Sequence, residues 1–179
     1  GVDVINMSFG TTQASEALED AMDYARERGV VLVAAGGNSN VEPVMYPAQI
    51  QGVKAVVAVT TSDVKASFSN FGYQAYLSAP GYGLWVAHPN HKIAYVAGTS
   101  YASPLVAAEA ALVIDAYQRM FSGTPTTSMI DGAMHQGAQG IYRLNPNYYS
   151  KLGKGRMYIP WALNATGSLS ISTVSPVAY

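Results

Sequence analysis

The chain of 179 residues contains no cysteine, which excludes disulfide bonds and thiolate metal sites but does not fix the cellular compartment. Charged residues are scarce, at 12%, and the formal net charge is −1. A balance this close to zero gives no general attraction to nucleic acid or to anionic membranes, so we expect neither as a partner.

Other absences narrow the class of protein further. The sequence has no apolar run long enough to cross a membrane, no internal repeat and no D-x-D-x-D-G calcium loop. Hydrophobic residues make up 49% of the chain, which excludes a disordered polypeptide. The length suffices for one domain with a sizeable core.

Three apolar segments predict buried strands, at residues 2–8, 30–35 and 53–60. Between the first two lies a segment with apolar residues at helical spacing, for which Thr11 and Thr12 offer an N-cap and Gly29 a stop. Strand, helix and strand in this order form a βαβ unit, so we expect an α/β fold with a mostly parallel sheet flanked by helices.

Further along the chain, residues 76–79, 84–87 and 93–96 are candidate short strands, and residues 129–134 a candidate short helix. The segment from residue 166 onward is rich in Ser and Thr, which predicts a linker or the first strand of a following domain. We therefore assign residues 1–165 to one domain and residues 166–179 to a linker or a second domain.

The most informative stretch is VAGTSYASPLVA, at residues 96–107, which continues into a helical sequence up to residue 120. The helix is apolar almost all round and should be buried, with Pro104 in its first turn and Ser100 at its N-terminus. Glu109 interrupts the apolar run and should be exposed, paired or protonated. Free backbone N–H groups at a helix start suit a nucleophile that generates an oxyanion, although a simple helix cap is the alternative.

GTSYASP closely resembles the nucleophile motif G-T-S-x-A-S-P of subtilisin-like serine proteases. VDVINMSFG, VVLVAAGGNSN, YPAQIQGVKAVVAVT and KLGKGRMYIPWAL resemble further segments of that family, in the same order. The resemblance implies the three-layer subtilisin-like fold, incomplete at its N-terminal side, and a cis bond between Tyr46 and Pro47. It also implies that the chain is the C-terminal part of the catalytic domain.

The resemblance also implies the roles of individual residues. Ser100 would be the nucleophile, and Asn38 would donate its side-chain amide to the oxyanion. The substrate would be bound by an edge segment and an opposite pocket wall, with Thr99 beside the nucleophile; these residues are Ser8, Phe9, Gly10, Ala34, Ala35, Gly36, Gly37 and Thr99. Read without the resemblance, Asn38 is a turn residue, the two glycines are ordinary loop and Ser8 is a strand-end serine.

The general base and its acid partner are expected upstream of this chain, so the chain alone should be inactive. His88, His91 and His135 are expected to be solvated loop residues. A sedolisin-type peptidase also has a G-T-S nucleophile, but its oxyanion donor is an Asp, and Asn38 argues against it. A non-catalytic binding module on the same fold is the other alternative.

The family implies a protein or peptide substrate and an extracellular location, and we expect a monomer. It also makes calcium possible, although no cofactor or metal ligand is evident in the sequence itself. Because the predicted pocket residues are small and uncharged, we expect a preference for a large apolar or aromatic residue before the scissile bond.

Overall fold

The computed structural model describes residues 1–171, in which four strands form one parallel sheet. The strands are β1 (Val4–Met7), β2 (Val31–Ala35), β3 (Val53–Val59) and β4 (Ala75–Pro80), adjacent in chain order. A separate antiparallel hairpin consists of β5 (Tyr82–His88) and β6 (Lys92–Ala97). The helices are α1 (Glu16–Glu27), α2 (Thr99–Phe121), α3 (Thr127–Gly137) and α4 (Ile159–Ile171), and Pro146–Tyr148 form a short 3-10 helix.

The sheet is the middle layer of three, and its side chains divide between two cores. In β2, Val31 and Val33 pack into the core formed with α2, α3 and α4, whereas Leu32 and Ala34 pack into the core beneath α1. This alternation follows from the two-residue period of a strand. It confirms the three-layer α/β prediction, and it explains why a strand covered on both faces is apolar without interruption.

Helix α1 begins at Glu16 with Ser15 as its N-cap, so the predicted cap at Thr11 and Thr12 is wrong. Thr11 instead pairs with Tyr46, each backbone N–H donating to the other residue's carbonyl over 2.9 Å. Thr11 thus takes part in a long-range backbone pairing, and helix α1 begins only after four further residues.

Helix α2 is more than six turns long and begins at Thr99, directly after Gly98. Pro104 therefore lies in the second turn, not in the first as predicted. A proline there cannot donate to the carbonyl four residues earlier, which belongs to Ser100. The hydroxyl of Ser8, which directly follows β1, donates to the Ser100 carbonyl in its place.

Helix α4 continues through residue 171, so residues 166–171 are helical and not a strand. Thr166 is buried, but its hydroxyl donates to the Ala162 carbonyl over 3.0 Å, so this polar group is hydrogen-bonded inside the core. The remainder of the predicted linker, residues 172–179, lies outside the described residues. None of the described helices has both the length and the apolar character needed to cross a bilayer.

Candidate active site

Ser100 is the second residue of α2 and is half-buried. The turn before it depends on Gly98, whose φ of 155° is disfavoured for residues with a side chain. The Gly98 N–H donates to the Gly81 carbonyl over 2.8 Å, which ties the turn to the end of β4. The backbone N–H of Ser100 lies in the first turn of the helix, where N–H groups lack intrahelical acceptors.

Ser8 and Ser100 are joined by two reciprocal hydrogen bonds. The Ser100 hydroxyl donates to the Ser8 carbonyl over 3.0 Å, and the Ser8 hydroxyl donates to the Ser100 carbonyl over 2.8 Å. The second bond serves the carbonyl that Pro104 leaves without a helical donor. Ser103, with its hydroxyl 3.2 Å from that of Ser8, completes this small polar cluster. Sequence reasoning missed this role of Ser8, although a proline four residues after Ser100 signals the unpaired carbonyl.

Asn38 is exposed and follows the carboxyl end of β2, on the loop that faces the start of α2. Its Oδ1 accepts from the Thr99 backbone N–H and from the Thr99 hydroxyl, both over 2.9 Å. A backbone N–H can only donate, so the amide orientation is determined and Nδ2 must point the other way. Within residues 1–171 the Asn38 Nδ2 has no hydrogen-bond acceptor, and it lies beside the Gly98 turn, 3.5 Å from the position of a Cβ built on that glycine.

Thr99 fixes the orientation of the Asn38 side chain. It is fully buried, and besides donating to Asn38 its hydroxyl accepts from the Gly37 backbone N–H over 3.1 Å. Its side chain thus positions Asn38, while the substrate contact predicted for Thr99 stays a prediction. Gly37, with a φ of 108°, has no room for a side chain, because a Cβ would lie 2.5 Å from Asn70 Nδ2.

The other predicted substrate residues lie on both sides of Ser100. Ser8, Phe9 and Gly10 follow β1 and are exposed, with 58% of Phe9 accessible. The opposite segment is buried and continues β2 into the loop; it comprises Ala34, Ala35, Gly36 and Gly37. Whether these residues form a substrate pocket stays a prediction. The Tyr46–Pro47 peptide bond is cis, which confirms what the family resemblance implied.

No histidine of residues 1–171 is bonded to the Ser100 hydroxyl, whose partner is Ser8. His88 and His91 are exposed, as predicted, and lie at the far tip of the β5–β6 hairpin, about 20 Å from its base at 3.3 Å per residue. The prediction for His135 is wrong, because this residue lies on α3 with its ring 4.4 Å from that of Tyr76 and its Nε2 buried.

Within residues 1–171, no three histidine, aspartate or glutamate side chains come together in a way that could hold a metal ion. Two acidic loop residues are held in ion pairs, Glu42 with Lys151 at 2.6 Å and Asp63 with Arg156 at 2.6 Å.

The sequence model of the subtilase family, peptidase family S8, matches residues 1–148. Among curated proteins, the thermostable alkaline protease of Halalkalibacterium halodurans is 37% identical over 139 residues, which cover 78% of this chain and 38% of that protein. Subtilisin DY of Bacillus licheniformis is 37% identical over 146 residues, which cover 79% of this chain and 53% of that protein. The chain thus spans between a third and about half of these relatives.

Solved structures give the same result. The prenylagaramide maturation protease PagA superposes with a TM-score of 0.83 at 29% identity, covering 93% of this chain and 62% of PagA. The protease domain of PatA superposes with a TM-score of 0.81 at 30% identity, covering 94% of this chain and 61% of that domain. With a family match over residues 1–148 and a fold that superposes on these protease structures, the chain belongs to the subtilase family of serine peptidases.

Proposed function

We propose that this chain provides the nucleophile and the oxyanion-binding part of a serine endopeptidase. The observation that supports this most directly is the amide of Asn38, whose oxygen is fixed by Thr99 so that its N–H₂ faces the site. A preorganised donor of this kind stabilises negative charge that develops in a transition state. A residue that only caps the helix start would use the amide oxygen and leave this N–H₂ group without a role.

In the proposed reaction, the Ser100 hydroxyl attacks the carbonyl carbon of the scissile peptide bond and transfers its proton to a general base from outside this chain. The resulting oxyanion accepts hydrogen bonds from Asn38 Nδ2 and from the Ser100 backbone N–H. The C–N bond then breaks as the base returns the proton to the leaving amine. Water hydrolyses the Ser100 ester in the reverse sense, which releases the acid and restores the serine.

The Ser100 hydroxyl donates to a carbonyl oxygen in this structure, and a carbonyl cannot remove its proton. The hydroxyl must therefore rotate away from Ser8 and toward the base before it attacks. For the same reason we propose that the isolated 179-residue chain is inactive. Peptidase activity of the purified chain that Ser100→Ala abolishes would contradict this.

The central experiment is covalent labelling of the full-length protein with a fluorophosphonate, followed by peptide mapping of the adduct. We expect one adduct, on Ser100, that is absent in Ser100→Ala and retained in Ser128→Ala, where the replaced serine is exposed on α3. An adduct elsewhere, or one that survives Ser100→Ala, would refute the assignment. Complete lack of labelling would favour the non-catalytic binding module.

We propose that the substrate is a protein or peptide with a large apolar or aromatic residue before the cleaved bond. The two segments beside Ser100, at residues 8–10 and 34–37, carry no charge to pair with lysine or arginine. A peptide library digested by the full-length enzyme tests this, and a dominant preference for basic residues would overturn it. An extracellular location, a monomeric state and bound calcium in the full-length protein are further proposals that rest on the family alone.

A further inference from the structure

A cavity of about 510 Å³ lies at the opposite end of the parallel strands from Ser100. Its lining includes Val53 and Lys54 at the start of β3 and Ala75 and Tyr76 at the start of β4. Asn38, in contrast, follows the carboxyl end of β2. Because these strands are parallel, the cavity at their amino ends is separated from the candidate active site by the length of the sheet.

The cavity is lined by a half-buried ion pair that a tyrosine supports. Lys54 is only 6% exposed and its ammonium forms a close salt bridge with Asp131 Oδ1. The Tyr76 hydroxyl donates to the same oxygen over 2.8 Å, and the Lys54 ammonium lies 4.4 Å from the centre of the Tyr76 ring. The positive charge of Lys54 is therefore balanced by Asp131, so a ligand in the cavity does not need to neutralise it.

Lys154 differs from Lys54, since it is exposed at the cavity and forms no ion pair within residues 1–171. Its backbone N–H donates to the Tyr76 carbonyl over 3.0 Å, which fixes the backbone of Lys154 beside the cavity. Burial lowers the pKa of His135, which also lines the cavity, and the positive charges of Lys154 and Lys54 lower it further against the opposing effect of Asp131. Lys154 thus lines the cavity with a positive charge that has no ion-pair partner within residues 1–171.

The walls are aromatic. Tyr73, Tyr142 and Tyr149 all line the cavity, and the rings of Tyr142 and Tyr149 lie 5.2 Å apart. Tyr73 is 71% exposed and Tyr149 is 72% exposed, so both offer ring surface that the fold itself does not cover. Tyrosine rings favour offset or edge contacts with another aromatic ring.

We propose that this cavity binds an aromatic carboxylate, with the carboxylate on Lys154 and the ring between Tyr73 and Tyr149. The C-terminal residue of a peptide that ends in Tyr, Phe or Trp has this chemistry. Such ends are also the products of the specificity proposed above, but the binding itself requires no catalysis.

The test is calorimetric titration of the full-length Ser100→Ala protein with three compounds. N-acetyl-tyrosine has both ring and carboxylate, N-acetyl-tyrosinamide lacks the charge, and N-acetylglycine lacks the ring. We expect N-acetyl-tyrosine to bind at least tenfold more tightly than either of the others. Equal binding of N-acetyl-tyrosine and its amide would overturn the proposal.

Two variants locate the binding. Lys154→Met should weaken N-acetyl-tyrosine about tenfold without changing the amide, whereas Lys92→Met, the same change on the exposed β5–β6 hairpin, should change neither. Binding that survives Lys154→Met would place the ligand elsewhere, the active site included, and would refute this inference. Because it is measured on a protein without the Ser100 hydroxyl, its outcome is independent of the fluorophosphonate experiment.

Discussion

Glu109 lies in the middle of α2 and is completely buried, and neither of its carboxylate oxygens has a well-formed hydrogen bond within residues 1–171. Burial raises the pKa of this carboxyl to about 7, and the Tyr158 backbone N–H opposes that rise only in part. Of the three alternatives that the sequence left open, the structure thus favours the protonated one. The negative charge of Glu109, when present, also raises the pKa of Tyr76.

The raised pKa makes the stability of the fold depend on pH. Below pH 4.5 the carboxyl is protonated in both the native and the unfolded state, so it contributes no pH dependence. Between pH 4.5 and 7 the unfolded chain loses the proton while the native state keeps it, so the free energy of unfolding falls as the pH rises. A pKa of about 7 against 4.5 corresponds to about 3 kcal/mol, reached above pH 7.

Glu109→Gln keeps the size of the side chain and removes its titration. We expect the variant to match the wild-type protein near pH 4 and to be more stable by about 3 kcal/mol at pH 8. Urea unfolding of the full-length proteins, followed by circular dichroism at several pH values, measures the difference.

Asp115→Asn is the matched control, since it removes the same charge from an exposed position of the same helix. Its ion pair with Arg119 lies at the surface, so a change below about 1 kcal/mol, with no step between pH 4.5 and 7, is expected. If Glu109→Gln shifted stability equally at pH 4 and pH 8, the carboxyl would not titrate with a raised pKa in the native state, and the reasoning would be refuted.

Three further predictions concern the candidate active site in the full-length enzyme. Asn38→Leu should lower kcat by about 10²–10³ with little change in KM, a magnitude taken from the equivalent donor of subtilisin itself; steady-state kinetics in which only KM rises would reject the oxyanion role. Thr99→Val, which removes the hydroxyl but keeps the backbone N–H bond to Asn38, should lower kcat less than Asn38→Leu does. Ser8→Ala leaves the Ser100 carbonyl without its donor, so thermal unfolding should show a loss of about 1–3 kcal/mol, and an unchanged melting temperature would mean that water replaces the Ser8 hydroxyl.

The parts of the fold that are determined by residues adjacent in the sequence were predictable. Strand β2 and residues 55–59 of β3 are apolar on both faces because both faces of the sheet are covered there, and the sequence shows this as uninterrupted apolar runs. The start of α2 was equally visible, from Gly98 and the apolar segment that follows it, although the prediction that this helix is buried on all sides is wrong, since Leu105 and Leu112 are 36% and 42% exposed. The position of Ser100 at a helix start followed from these two features.

Features set by contacts between distant segments could not be predicted in the same way. His135 looks like a loop residue in the sequence, and only the packing of α3 against the start of β4 places its ring on Tyr76. The Thr11 cap failed for the same reason, since the partner of Thr11 is Tyr46, which comes 35 residues later. In both cases a polar side chain or backbone group satisfied its hydrogen-bonding or packing needs outside its own element.

The Ser8–Ser100 pair shows how such a long-range contact and the proposed chemistry depend on one another. Pro104 stiffens the chain after the nucleophile, but it removes the N–H that would otherwise bond the Ser100 carbonyl. The missing donor is supplied by a residue 92 positions earlier, at the end of β1, which the resemblance assigns to substrate binding. The segment proposed to bind the substrate is therefore also the segment that holds the helix start in place, so β1 and α2 can be expected to keep the nucleophile and the substrate in one fixed register.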